Sequence, residues 1–284
     1  MGHTRAAVLA VVLAVTVLGL ATDGQAQLQS GFYTGKCRGS DVEAVVQGIV
    51  QARFASNSDI VAHLLRLLFH ECGVNGCDGG LLIDGYSTEK TAKPNLSVKG
   101  YELITAIKTE LEKRCPGVVS CSDIEVLATR DAVAASTGRR YAVRTGRRDS
   151  RRSVATDVNL PGPDDTVPKA AAFFRNLGLT SDDMVVLLGA HTVGVTHCSM
   201  IKRSRLYSAS KVDNSFYKML QQRRGVLMVD QNLYNDSSTR WMVDRLANTD
   251  HFNWLFPQAL VKLGEVKVLT ATQGEVRRVC SRFN

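Results

Sequence analysis

Apolar residues recur three and four positions apart along most of the chain, the spacing that lines one face of an α-helix. Val42, Val45, Val46 and Ile49 open the series, with Ser40 and Glu43 placed as a capping box. Ile104, Ile107 and Leu111 repeat the pattern until Cys115-Pro116 stops it. Further helices are predicted over residues 122–136, with Ile124, Leu127 and Ala128 inward, over 168–177 ended by Gly178, and over 213–224 ended by Gly225. Phe252, Leu255, Phe256, Ala259, Leu260 and Leu263 mark a last helix before Gly264. Strand signals are confined to short runs such as residues 141–144, so the fold class is mainly α.

Two segments depart from simple amphipathicity. Residues 59–72, DIVAHLLRLLFHEC, are almost wholly apolar yet carry Arg66 and His70 one turn apart on one face. An unpaired buried arginine costs several kcal/mol, so such a helix holds one that is paired, lines a cavity, or sits on a partly exposed edge. His70-Glu71 does not begin a zinc-protease HExxH motif, because Cys72, Gly73 and Val74 follow. Glu71 and Asp78 flank the loop GVNGCDGG, whose carboxylates and free carbonyls are hard oxygen ligands suited to calcium; a solvated turn with two acids is the alternative. In residues 180–198, TSDDMVVLLGAHTVGVTHC, Thr180 and Asp183 form a capping box and His191 ends the apolar run. A lone histidine in such a place is more often a satisfied core residue than a ligand. Two of them, His70 and His191, on separate apolar helices suggest a cofactor between them.

The 284 residues are 44% hydrophobic and 22% charged, which excludes a disordered chain, a collagen and a small disulfide knot. The one long apolar run lies at the N-terminus, where Arg5, the apolar residues 6–20 and Gly24-Gln25-Ala26 predict a signal peptide over 1–26 and a secreted mature chain from Gln27. A transmembrane anchor is the rival reading, but the run falls short of about 20 residues. Cleavage removes one arginine and one aspartate, leaving the net charge at +8. In an oxidising compartment thiols pair, and the seven cysteines cannot all pair within the chain. The spacing of Cys72 and Cys77 suits a small disulfide-closed loop better than zinc.

The sequence resembles the secreted class III plant haem peroxidases. The matching pieces are LLRLLFHEC and VNGCD around His70, PN at 94–95, VVSCSD at 118–123, RTGRRD at 144–149, NLPGP at 159–163, LLGAHTVG at 187–194, DQNLY at 230–234 and TQGEVRRVC at 272–280. They occur in order and cover nearly the whole mature chain. The resemblance implies an all-α, two-lobed fold with one haem b between a distal lobe, roughly 27–165, and a proximal lobe, roughly 166–284, in a monomer. His191 is then the iron's axial ligand and Asp230 the hydrogen-bond partner of its other ring nitrogen. His70 moves the proton of hydrogen peroxide to the departing oxygen, Arg66 stabilises the developing negative charge, and Asn95, supported by Glu89, fixes the His70 tautomer. Phe69 and Pro161 border the site where small phenolic donors are oxidised in one-electron steps. Two calcium sites are also implied, a distal one from Glu71, Val74, Gly76 and Asp78 and a proximal one from Thr192, Ser208, Lys211 and Asp213. The implied disulfides are Cys37–Cys115, Cys72–Cys77 and Cys121–Cys280, with Cys198 unpaired.

The chain also departs from that family. Glu71 stands where aspartate is usual, Gly80 where serine is usual and Gly73 where an aromatic is usual, the last predicting a cavity unless a neighbour fills it. His63 replaces a small residue beside the expected haem propionates. Only Ser-Ala-Ser-Lys-Val separates Arg205-Leu206-Tyr207 from Asp213, where relatives carry several tens of residues. That segment ordinarily holds the partner of Cys198, a calcium-binding aspartate and an aromatic against the proximal histidine. A catalytically impaired peroxidase-fold protein, or an aberrant splice or gene-model product with a damaged proximal pocket, is therefore the alternative function. Seven arginines between Arg139 and Arg152 form a second candidate surface. Interleaved Asp149 and export argue against nucleic acid and for anionic cell-wall polysaccharide, with several arginines in internal salt bridges.

Overall fold

The computed structural model describes residues 27–198, 201–205 and 210–284, omitting the side chains of 196–198 and 201–205. The predicted signal peptide, Ser208 and the Cys198 side chain lie outside the described residues. Ten α-helices occur among the described residues: α1 (Val42–Ser56), α2 (Ile60–Cys72), α3 (Tyr101–Arg114), α4 (Cys121–Thr137), α5 (Val167–Asn176), α6 (Ser181–Leu188), α7 (Ser215–Gln221), α8 (Met228–Asn235), α9 (Ser237–Asn248) and α10 (His251–Gly264). They form two packed groups. In the first, α1, α2 and α3 surround α4; in the second, α6 lies against α5, α9 and α10, and α7 to α9 pack on one another. The groups meet where α2 touches α10 and the 3₁₀ turn Gly189–Thr192, so the helix bearing His70 faces the turn bearing His191.

Local chemistry explains most boundaries. Thr180 and Asp183 form the reciprocal capping box of α6. At α1 the cap is Asp41, whose side chain accepts from Ala44 N, rather than the Ser40–Glu43 pair. Ser40 N is used in a turn to Cys37 O, and Glu43 is drawn away to Arg130 and Arg140. The helix predicted over 213–224 begins later, at Ser215, because Asp213 Oδ1 accepts Ser215 N at 2.9 Å from outside the helix. Residues 141–144 are not a strand. The two strands, β1 (Val195–Cys198) and β2 (Ile201–Arg205), pair antiparallel where no apolar alternation announces them.

Buried polar pairs complete the core. α4 buries Asp123, Glu125, Arg130 and Asp131 along with its apolar residues. Arg130 is held by Asp131 at 2.7 Å and Glu43 at 2.8 Å. Disulfides join Cys37 to Cys115, Cys72 to Cys77 and Cys121 to Cys280, the last spanning 159 residues. No cavity opens at Gly73, since a Cβ there would lie 2.7 Å from Leu160 and 3.2 Å from Phe173, which fill the space of the missing aromatic. Within the arginine-rich stretch, Arg147 is buried against Asp123, while Arg140, Arg144, Arg151 and Arg152 pair with Glu43, Glu265, Glu275 and Asp157 at the surface. Among the described residues no helix is long and apolar enough to cross a membrane.

Candidate active site

The site begins on α2. Arg66 and His70, four residues apart, project into the same cleft, and Arg66 Nε donates to His70 Nε2 at 3.2 Å. Arg66 is steadied by Pro94 O at 3.2 Å, Ser97 Oγ at 3.1 Å and Ser97 O at 3.3 Å. These partners lie some thirty positions away, on a turn that helical spacing could not reveal. Arg66 is accessible, yet burial lowers its pKa, as befits a group lining a recess.

Asn95 orients the histidine. Its Oδ1 lies 2.7 Å from His70 Nδ1, and its Nδ2 donates to Glu89 O at 2.7 Å. The amide is thereby fixed with its oxygen toward the ring, so Nδ1 carries the hydrogen and Nε2 is the accepting nitrogen, engaged here by Arg66 Nε. Glu89 supports this chain through its backbone carbonyl, not its carboxylate. The His70 pKa is lowered to about 4, first by burial; the Asn95 hydrogen bond opposes this, and the charges of Arg66 and His191 add to it. The ring is therefore neutral at pH 7. Phe69 stands beside it at 6.0 Å, edge-on, and stacks on Phe174 at 5.8 Å.

Across the cleft, α6 delivers His191 on the turn Gly189–Thr192. A side chain at Gly189 would collide with Tyr217 and Phe252, so backbone close-packing holds the turn in place. His191 Nδ1 lies 2.8 Å from Asp230 Oδ1, the carboxylate being buried on α8. Burial pulls the His191 pKa down most strongly, but the charge and hydrogen bond of Asp230 outweigh it and leave the pKa raised. Nε2 has no hydrogen-bond partner among the described residues, and 36% of the side chain remains accessible. Phe216 packs edge-on to the ring at 6.2 Å. His191 thus keeps both an anionic partner and an aromatic neighbour despite the short 205–213 connection; sequence reasoning had not identified Phe216.

A half-buried imidazole oriented by a buried carboxylate, with its second nitrogen unengaged and a neutral histidine and an arginine nearby, fits the axial-ligand side of an iron porphyrin. The calcium sets are arranged differently. Proximally, Thr192 Oγ1 donates to Asp213 Oδ1 at 3.1 Å, Lys211 is exposed nearby in sequence, and Ser208 lies outside the described residues. Distally, both Glu71 carboxylate oxygens accept backbone N–H groups, an arrangement that does not fit a cation ligand. Pro161 is half-buried, in the segment whose Leu160 packs near Phe173. A separate surface cleft of 420 Å³, lined by Tyr33, Asp41, Glu43 and Arg140 among others, contains none of these residues.

Comparison with known proteins places the same residues in context. The family model described as Peroxidase matches residues 46–249. Peroxidase 57 of Arabidopsis thaliana is 43% identical over 294 residues, covering 91% of this chain and 93% of that protein. Peroxidase 44 of Arabidopsis thaliana is 43% identical over 298 residues, covering 93% and 96%. Peroxidase N1 of Nicotiana tabacum is 37% identical over 299 residues, covering 89% and 90%. These alignments are longer than the 284 residues of the chain while using only part of it, so the relatives carry residues that this chain lacks.

Proposed function

Because the chain belongs to the class III plant peroxidase family and is a haem peroxidase, we propose that His70, Arg66 and Asn95 form its peroxide-cleaving site and that His191, oriented by Asp230, holds the haem iron. The haem, which His191 would hold between the 27–165 and 166–284 lobes, would supply the two-electron chemistry toward peroxide and the one-electron chemistry toward donors. His70 Nε2 accepts the proton of hydrogen peroxide and returns it to the departing oxygen. Arg66 stabilises the negative charge that develops as the O–O bond breaks. Asn95 keeps Nδ1 protonated so that Nε2 remains the base. Asp230 orients His191 and raises its basicity toward the iron. Phe69 and Pro161 border the approach of small phenols. The observation that carries this reading is the presence, on two elements that touch, of two oriented rings, His70 on Asn95 and His191 on Asp230.

The test is reconstitution with haemin. The parent protein should develop a Soret band and oxidise phenols with peroxide, and His191→Ala should lose most of the band and the activity. Activity unchanged in His191→Ala would overturn the assignment. Since burial holds the His70 pKa near 4, the bimolecular rate with peroxide is expected to stay level from neutral pH down to about 5 and to fall as pH drops through 4. A midpoint near the ordinary histidine value of 6.5 would exclude His70 as the titrating base.

The setting proposed is outside the cell, supported by three disulfides, which form and persist in oxidising compartments. With a net charge of +8 and outward-facing Arg139, Arg151 and Arg152, the enzyme suits retention on anionic wall polysaccharide as a monomer. One calcium ion is proposed on the proximal side, at Thr192, Ser208, Lys211 and Asp213, supported by membership of the family, with Thr192 and Asp213 side by side.

A further inference from the structure

The loop following α2 carries the residues that family likeness assigns to a distal calcium ion, yet it is already closed around a carboxylate of its own. Glu71 Oε1 accepts Asp78 N at 2.8 Å and also Gly79 N, and Oε2 accepts Leu81 N at 2.9 Å. Glu71 O accepts Val74 N at 3.1 Å. A calcium ion requires six to eight oxygens converging at about 2.3–2.6 Å. Converging backbone N–H groups do the opposite, forming a concavity for an anion. The extra methylene of glutamate lets the carboxylate reach into that concavity.

Asp78 and the Gly80 corner are engaged in the same sense. Asp78 Oδ1 accepts Gly80 N at 3.0 Å. Gly80 offers no side-chain oxygen, and a Cβ there would lie 2.6 Å and 3.0 Å from the two Glu89 carboxyl oxygens and 3.1 Å from Asp78 Oδ1. The Glu89 carboxyl therefore fills the corner a serine would need. The loop is tied independently by the Cys72–Cys77 disulfide, by Cys77 N to Val266 O at 3.0 Å and by Ser150 N to Asp78 O at 2.6 Å.

We propose that the distal loop of this chain binds no calcium and that Glu71 is its built-in clamp, with Glu89 occupying the vacated ligand corner. The inference rests on the peroxidase reading only for which ion is missing. Its consequence is that the connection from Glu89 O through Asn95 to His70 is held by protein hydrogen bonds alone. Positioning of the distal histidine then does not depend on calcium.

The experiment is a count of bound calcium by atomic emission on the folded holoenzyme, after equilibration at about 1 mM calcium, the weak end of extracellular sites. At most one ion per chain is expected, lost on Asp213→Asn and retained on Glu71→Gln. Two ions in the parent, an ion that survives Asp213→Asn, or an ion lost from a folded Glu71→Gln protein would overturn the proposal; no ion in the parent supports it. If Asp213→Asn does not fold, the Glu71→Gln count decides alone. A Soret band and phenol oxidation in the same preparation test the peroxidase reading separately, so failure of one is distinguishable from failure of the other.

Discussion

Replacing His70 by alanine is expected to slow the reaction with hydrogen peroxide by about 10²–10⁴-fold, the range contributed by a positioned general acid–base group. The Soret band should remain, because iron ligation belongs to His191. The size of the effect follows from the preparation of the ring: Asn95 holds Nδ1 at 2.7 Å, and burial with a nearby guanidinium keeps the imidazole neutral. Asn95→Ala should show a smaller loss in the same assay, since it leaves the base in place but frees its tautomer. Stopped-flow rates for both variants at pH 7 provide the check, and a His70→Ala enzyme within threefold of the parent would remove His70 from the mechanism. The same pKa has a stability consequence. The folded value lies below the unfolded one, so the contribution of His70 to stability is present above about 6.5 and is lost as pH falls through about 4.

Asp123→Ala should destabilise the fold by about 3–5 kcal/mol, the cost of leaving a buried partner charge uncompensated. Asp123 Oδ1 accepts Arg147 Nη1 at 2.8 Å, and Oδ2 accepts Tyr33 Oη at 2.6 Å, Gly146 N at 2.7 Å and Arg147 N at 3.2 Å. Both side chains of the ion pair are at most 1% exposed. Arg147 also donates to Gly264 O at 2.7 Å, so the pair fastens α4 and the arginine-rich stretch to the end of α10. Urea unfolding with disulfides intact would measure the loss. The double variant Asp123→Ala, Arg147→Met should be less damaged than Asp123→Ala, because it leaves no orphan guanidinium. A single-variant cost under about 1 kcal/mol would mean that water or another anion reaches Arg147.

Much of this was legible along the chain, and the exceptions have identifiable causes. Thr180 and Asp183 announced α6 because a capping box is made by residues three apart. Asp41 displaced Ser40 as the cap of α1 because Glu43 was claimed by arginines from 87 and 97 residues away. The strands β1 and β2 carried no alternation, and β-pairing there is a matter of two segments meeting. At Gly73 the sequence predicted a hole unless a neighbour filled it, and Leu160 and Phe173 do so from distant segments. The short 205–213 connection suggested a proximal histidine without an aromatic neighbour, whereas α7 turns Phe216 onto it.

Sequence alone determined the helical class, the pairing of Arg66 with His70 on one face, and the family resemblance, because these depend on residue type and on spacing within a few turns. Tertiary structure decided which nitrogen of each histidine faces the cleft, since Asn95 and Asp230 arrive from 25 and 39 positions away. It also decided that the Glu71 carboxylate faces backbone N–H groups rather than an open ring of oxygens. Whether an acid serves as ligand or clamp depends on where its oxygens point, and that direction is set by the folding of the loop around it.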